Sequence, residues 1–216
     1  MSASPGSPLP TEKTHMHLLL MGPPGAGKGT QAALLAAHYK IPAISTGDIF
    51  RTIRSADTPL GRRVRDIMAS GGYVTDDITN AIVADRLNQD DCRDGFLLDG
   101  YPRTIDQVRS LDALLGSGMR ALDAVVALQT DTDELVARLR RRAGTDSRTD
   151  DDEPTIRVRQ QIYAEQTAPL LAIYHDRGVL LRVNGLGSVD AVSSRLFALL
   201  EHHLQRPRAK AATPMP

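Results

Sequence analysis

Residues 22–30 read Gly-Pro-Pro-Gly-Ala-Gly-Lys-Gly-Thr and follow directly on the apolar run Leu18-Leu19-Leu20-Met21. The spacing G-x-x-x-x-G-K is complete, and what it offers is a cradle for an anion. A buried strand ends, glycines let the backbone curl closely, and a helix begins at about Lys28. Successive N–H groups of the loop and the helix N-terminus then converge on one phosphate. Gly25, Ala26, Gly27, Lys28, Gly29 and Thr30 are therefore expected to bind a nucleoside triphosphate, with the Lys28 ammonium as a mobile charge for its β- and γ-phosphates. Gly29 stands where most such loops carry Ser or Thr for magnesium, and Thr30 follows one residue later. The alternative is a glycine-rich turn with a chance lysine; the strand before it and the Ala/Leu-rich helix after it argue against that.

Other residues along the chain carry matching chemistry. Asp99 closes the apolar run Phe96-Leu97-Leu98, where a carboxylate at the end of a parallel strand would face the phosphates; a cap or turn former is the alternative. Arg103 follows in Gly100-Tyr101-Pro102-Arg103, at the carboxyl end of the expected sheet, where ligands bind. Arg51 lies about one helical turn beyond Ser45-Thr46-Gly47-Asp48. Asp48 can cap the next helix or act on a magnesium-bound water, and the sequence leaves both open. Arg138 and Arg142 are four residues apart and share a helix face, whereas Arg157 and Arg159 do not. Guanidinium groups suit bidentate phosphate contact. Phosphoryl transfer needs two phosphates in line, their charge neutralised and water kept out. A donor cradle, several fixed cations and a closing segment would meet that need.

The segments Gly27–Gln31, Ser45–Arg51, Gly72-Tyr73-Val74-Thr75-Asp76 and Phe96–Thr104 occur in this order. Together they resemble the adenylate kinase family of nucleoside monophosphate kinases, in its bacterial short-lid form, from about Met16 to about Leu204. The resemblance implies reversible phosphoryl transfer from ATP to AMP, giving two ADP, with magnesium. It implies catalytic roles for Lys28, Asp99, Arg103, Arg138, Arg142, Arg148 and Arg159, with Asp99 acting on magnesium through water. It adds Arg142 and Gly187 to the ATP site, the latter through its carbonyl at the donor adenine. It places Thr46, Arg51, Gly72, Tyr73, Val74, Gly100, Tyr101, Pro102, Arg103, Gln107, Arg148 and Arg159 around AMP. Within that set the Thr46 hydroxyl, the Gln107 amide and the backbone of 72–74 would meet the base. Outside the resemblance, Thr46 reads as a turn or cap residue and Gln107 as a solvent-facing helix residue. Longer-lid relatives carry four zinc ligands or a polar set; nothing of that kind occurs here, so no structural zinc is expected. One of Asp150, Asp151 and Asp152 would orient lid arginines.

Two other functions remain in view. One is a UMP/CMP-type kinase on the same scaffold, against which the Ser-Thr-Gly-Asp turn argues. The other is a nucleotide-binding regulatory protein without chemistry, against which intact Lys28, Asp99, Arg51 and Arg103 argue.

The elements that must position these residues alternate between strand and helix. That pattern predicts an α/β fold: a five-stranded parallel sheet flanked by helices in three layers. Strands are expected at His17–Met21, Ala43–Ser45, Gly95–Leu98, Ala124–Leu128 and Val179–Val183. Helices are expected over about 28–39, 47–55, 60–70, 76–88, 105–115, 132–142, 156–177 and 189–203. A helical insertion at about 46–74 would bind the monophosphate, and a short polar lid would occupy about 143–154. Both are expected to be mobile. Residues 16–204 would form the domain. Residues 1–15 read as a disordered extension, or as an upstream start before Met16, and 205–216 as a disordered tail. Tyr163 and Tyr174, at helical spacing, read as core.

At 216 residues the chain can bury one sizeable core, and its 26 basic and 26 acidic residues cancel. No global field recruits nucleic acid or a membrane surface. Lysine occurs only at positions 13, 28, 40 and 210, which makes Lys28 more telling, since arginine fills most basic positions. One cysteine, Cys92, on an expected helix end, permits neither an intrachain disulfide nor a cysteine-held zinc site. His202 and His203 adjoin and point to different sides, which does not suit a metal. No run approaches the ~20 apolar residues of a membrane span, and no apolar segment near the N-terminus suggests a signal peptide. A cytoplasmic monomer acting on ATP, AMP and ADP is the expectation.

Overall fold

The computed structural model describes residues 15–118, 121–131, 134, 135, 138 and 153–205. Five parallel strands form the centre: β1 (Met16–Met21), β2 (Ala43–Ser45), β3 (Gly95–Asp99), β4 (Ala124–Gln129) and β5 (Leu180–Asn184), in the order β2-β3-β1-β4-β5. β1 and β3 are buried at every position, and β4 at all but its last. Burial on both faces is why these strands read as continuous apolar runs rather than alternating ones. On one face lie α1 (Lys28–Tyr39) and α8 (Val189–Leu204), whose Leu35, Leu196 and Leu200 pack on Leu18, Leu20 and Val126. On the other lie α4 (Asp76–Leu87), α5 (Ile105–Ser117) and α7 (Leu170–Asp176), whose Val83, Leu111 and Tyr174 pack on Leu19, Phe96 and Leu98. The three-layer α/β architecture is the one expected from the alternation of elements.

Strand register sets the site. Leu20 of β1 and Ser45 of β2 both pair with Asp99 of β3, so the three strands end at one level. β1 is central, the chain passes first to one side of it and later to the other, and a crevice opens at its carboxyl end. The loops after β1, β2 and β3 all empty into that crevice.

Between β2 and β3 the chain leaves the sheet as α2 (Thr46–Ser55) and α3 (Pro59–Ala69). Phe50, Val64 and Met68 of these helices form a small separate core with Val74 of the following loop, against which Ile78 and Ile82 of α4 pack. The Ser45 hydroxyl caps α2 by accepting from the Asp48 N–H, and Thr58 caps α3 in the same way, with Pro59 as its first residue. Ser45, not Asp48, is therefore the cap.

The helix expected over 156–177 is interrupted. α6 (Glu153–Ile162) opens into a π-helical turn, Tyr163–Thr167, before α7. Pro169 has no N–H, and its ring would meet the Glu165 carbonyl in a continued α-helix. The widened turn instead brings the Ala168 N–H to the Tyr163 carbonyl at 2.8 Å. Cys92 sits in a short 3-10 turn, Asp90–Cys92, and is fully buried. The expected tails, most of the helix over 132–142, lid residues 143–152, Arg142, Arg148 and Asp150–Asp152 lie outside the described residues.

Candidate active site

The loop joining β1 to α1 is shaped by its backbone. Gly27 precedes α1 with φ 87°, in the left-handed region, and an added Cβ there would meet nothing within 4 Å. Glycine at 27 thus answers to conformation, not to crowding. No side chain caps α1, which leaves its first N–H groups to an anion. The Lys28 ammonium folds back over the loop and donates to the Gly22 and Pro23 carbonyls at 2.8 and 3.0 Å. The Gln160 amide of α6 donates to the Pro24 carbonyl at 2.9 Å, tying that helix to the loop.

Three cavities run in a row through the crevice. The first is lined by every described residue expected around the acceptor: Thr46, Arg51, Gly72, Tyr73, Val74, Gly100, Tyr101, Pro102, Arg103, Gln107 and Arg159. The second is lined by Gly25, Gly27, Lys28, Gly29 and Thr30 from the cradle, with Asp48, Asp99 and Arg138 around them. The third is lined by Ala26, Arg138 and Gly187. Lys28, Arg51 and Arg103 belong to both the first and the second, and Gly27, Thr30 and Arg138 to both the second and the third. The cavities form one trough, with cations at its joints.

Charge in this trough is tightly held. Asp99 is only 9% exposed, and its Oδ1 is buried with no hydrogen-bond partner among the described residues. Burial pushes the Asp99 carboxyl above the usual range, and Lys28 and then Arg103 pull it back. Arg103 donates through Nε to the Gly100 carbonyl at 2.6 Å, and its guanidinium lies 4.7 Å from the centre of the Tyr73 ring. Enclosure lowers the Arg103 guanidinium from its ordinary value, opposed by Tyr73 and Asp99. Gly100 lies at φ 80°, and a Cβ there would come within 2.9 Å of both the Arg103 guanidinium and the Thr46 hydroxyl; only glycine lets the two approach the loop together. Arg51 pairs with Asp48 one turn away. Arg138 bonds Glu134 at 2.7 Å and the Gly185 carbonyl at 2.9 Å, which fixes it beside the turn that carries Gly187.

At the acceptor end, Thr46 and Gln107 are each 1% exposed. Thr46 donates to the Gly100 carbonyl at 2.9 Å, and its oxygen keeps acceptor capacity. Gln107 does not face solvent: its Oε1 accepts from the Arg103 N–H and its Nε2 donates to Asp76, both at 2.7 Å. Thr104 caps α5 by accepting from the Gln107 N–H, so Gln107 also occupies the third position of a variant capping box.

Several lining side chains carried no local signal. Tyr163, read with Tyr174 as core, lines the first cavity, whereas Tyr174 is fully buried beneath the sheet. The Thr167 hydroxyl donates to the Arg103 carbonyl at 2.9 Å, so the Tyr73 hydroxyl, 3.1 Å away, is the donor to Thr167. Tyr73 thereby holds Arg103 through its ring and through this relay. Its backbone alone had been expected to matter, and its partner Thr167 is 94 positions away. Among the described residues no three His, Cys, Asp or Glu side chains gather to hold a metal directly.

Known proteins resemble this chain in sequence. The family model described as adenylate kinase matches residues 20–179. An adenylate kinase of Nocardioides sp. is 52% identical over 186 residues, covering 86% of this chain and 97% of the relative. One from Leifsonia xyli subsp. xyli is 52% identical over 183 residues, with 85% and 92% covered. Another, from Clavibacter michiganensis subsp. michiganensis, is 51% identical over 194 residues, with 90% and 97% covered. With about half of the aligned residues identical across nearly the full length of such relatives, the chain belongs to the adenylate kinase family.

Proposed function

We propose that this chain transfers the γ-phosphoryl group of ATP to AMP, reversibly, giving two ADP, with magnesium. The observation that carries the reading is the continuous trough, in which a cradle for a triphosphate and a cavity for a second nucleotide share Lys28, Arg51 and Arg103. An AMP phosphate oxygen forms a bond to the γ-phosphorus as the bond from that phosphorus to the β,γ-bridging oxygen breaks. Lys28 and Arg103 stand where the phosphates meet and offset the charge carried between them. Arg51 and Arg159 hold the acceptor phosphate, and α1 presents its N–H groups to the donor. Arg138 and the Gly187 backbone serve the donor nucleoside end. Roles for Arg142 and Arg148 in closing over the phosphates complete the proposal.

Magnesium fits the residues present: Asp99, whose buried Oδ1 has no hydrogen-bond partner among the described residues, and Asp48 both line the cavity that holds the cradle. Asp99 and Asp48 would hold the ion through its water shell; when bound, it neutralises and orients the phosphates. We place the protein in the cytoplasm as a monomer, as the resemblance to its family implies. Among the described residues no helix is long and apolar enough to cross a membrane.

The test is ADP formation with purified protein. ADP is expected to appear from ATP and magnesium only when AMP is added, with two ADP for each ATP consumed. EDTA should abolish the reaction and magnesium alone restore it, while a zinc chelator leaves the melting temperature unchanged. ADP and phosphate produced equally without AMP would point instead to a nucleotidase.

A further inference from the structure

We propose that Asp76 decides which purine the acceptor site takes, by locking the Gln107 amide in the orientation that reads adenine. This rests on the acceptor reading of the first cavity. Asp76, in the first turn of α4, accepts from the Thr104 hydroxyl with Oδ2 and from Gln107 Nε2 with Oδ1, each at 2.7 Å. On its other side the Gln107 amide accepts the Arg103 N–H through Oε1 at 2.7 Å. A carboxylate only accepts and a backbone N–H only donates, so the amide has one permitted orientation. Turning it over would set Oε1 against a carboxylate and Nε2 against an N–H.

The locked amide has one Nε2 hydrogen and one Oε1 lone pair unspent, in a residue 1% exposed that lines the acceptor cavity. That pair matches the edge of adenine, where N1 accepts and the 6-amino group donates. Hypoxanthine inverts both positions: O6 accepts and N1 donates. A freely turning glutamine serves either base, and only a fixed one discriminates. The Thr104 hydroxyl holds the second Asp76 oxygen, so both carboxylate oxygens are fixed by the first turn of α5 and its cap. Asp76 is thus a positioning residue that acts through Gln107.

The experiment compares AMP with inosine monophosphate as acceptors, measuring ADP and IDP with ATP and magnesium. Asp76→Asn offers Oδ1 or Nδ2 to either amide orientation and leaves the Arg103 N–H as the one remaining constraint. The AMP-to-IMP ratio of kcat/KM should fall by roughly tenfold or more, mainly through a gain for IMP, as one orientation-setting hydrogen bond is lost. The ratio is internal to each preparation, so a general loss of folded protein does not move it. Should Asp76→Asn fail to fold, Thr104→Val, which releases the second Asp76 oxygen, is expected to shift the ratio the same way by less. Gln107→Ala should weaken AMP use and collapse the ratio. If Gln107→Ala weakens AMP use while the Asp76 or Thr104 variant keeps the wild-type ratio, Asp76 is structural and the proposal is overturned, with the acceptor reading intact. If Gln107→Ala leaves AMP kinetics unchanged, the acceptor reading of Gln107 fails, and the proposal with it.

Discussion

Lys28→Ala is expected to cut turnover by roughly 10²-fold or more while the protein stays folded. The reason lies in what the ammonium touches. It donates to two carbonyls of its own loop, Gly22 and Pro23, and it belongs to both the donor and the acceptor cavity. It is therefore held at the joint of the two cavities, where the proposed transfer would move charge between the phosphates, and it belongs to none of the apolar core clusters. Its loss also removes the largest electrostatic counterweight to buried Asp99, so a small destabilisation at neutral pH is expected, which Asp99→Asn in the same chain should relieve. Single-turnover kinetics and thermal melts check both parts; turnover near that of the wild type would contradict the assignment of the cradle.

Asp99→Asn should separate activity from stability. Turnover should fall by about 10²-fold, because the carboxylate proposed to hold magnesium through water, at the lining of the second cavity, is replaced by an amide that holds a hydrated cation poorly. Stability should move the other way. Burial raises the Asp99 pKa above its unfolded value. A carboxyl raised on folding favours the native state below its unfolded pKa, and that contribution is lost as pH rises through the folded value. At neutral pH the native protein therefore bears the cost of having buried that carboxyl, and asparagine does not. Urea melts should show the variant to be the more stable at pH 7, with the gap narrowing as pH falls toward the ordinary aspartate range. A variant less stable than wild type at pH 7 would mean that Lys28 and Arg103 outweigh burial.

What the sequence discloses and what it hides follow the range of the contacts involved. The phosphate loop is legible because its task needs consecutive N–H groups, so residues 22–30 carry the whole signal in one stretch. Asp99 and Arg103 are legible because a strand end and the loop after it fall on one edge of a parallel sheet. The break at Tyr163–Thr167 is less so: Pro169 announces an interruption, but the helical period on either side continues, and only the displaced bond from Ala168 to Tyr163 marks the widened turn. The acceptor end is the least legible. Gln107 depends on Asp76, 31 positions earlier, and Arg103 on Tyr73 and Thr167, 30 positions before it and 64 after. No spacing rule links such residues, because the fold alone brings α4, α5 and the π turn together. Tyr163 reads as core for the same reason: half of it is buried, and periodicity does not distinguish a cavity wall from a core wall.

The central claim is that donor and acceptor lie in one trough, and binding of diadenosine pentaphosphate tests it most directly. Its two adenosines, joined by five phosphates, should span the cavities from the Gly187 turn to Gln107. Calorimetric titration should give one molecule per chain, with ATP and AMP each competing for it. Two molecules per chain, or binding that AMP leaves untouched, would contradict a single trough.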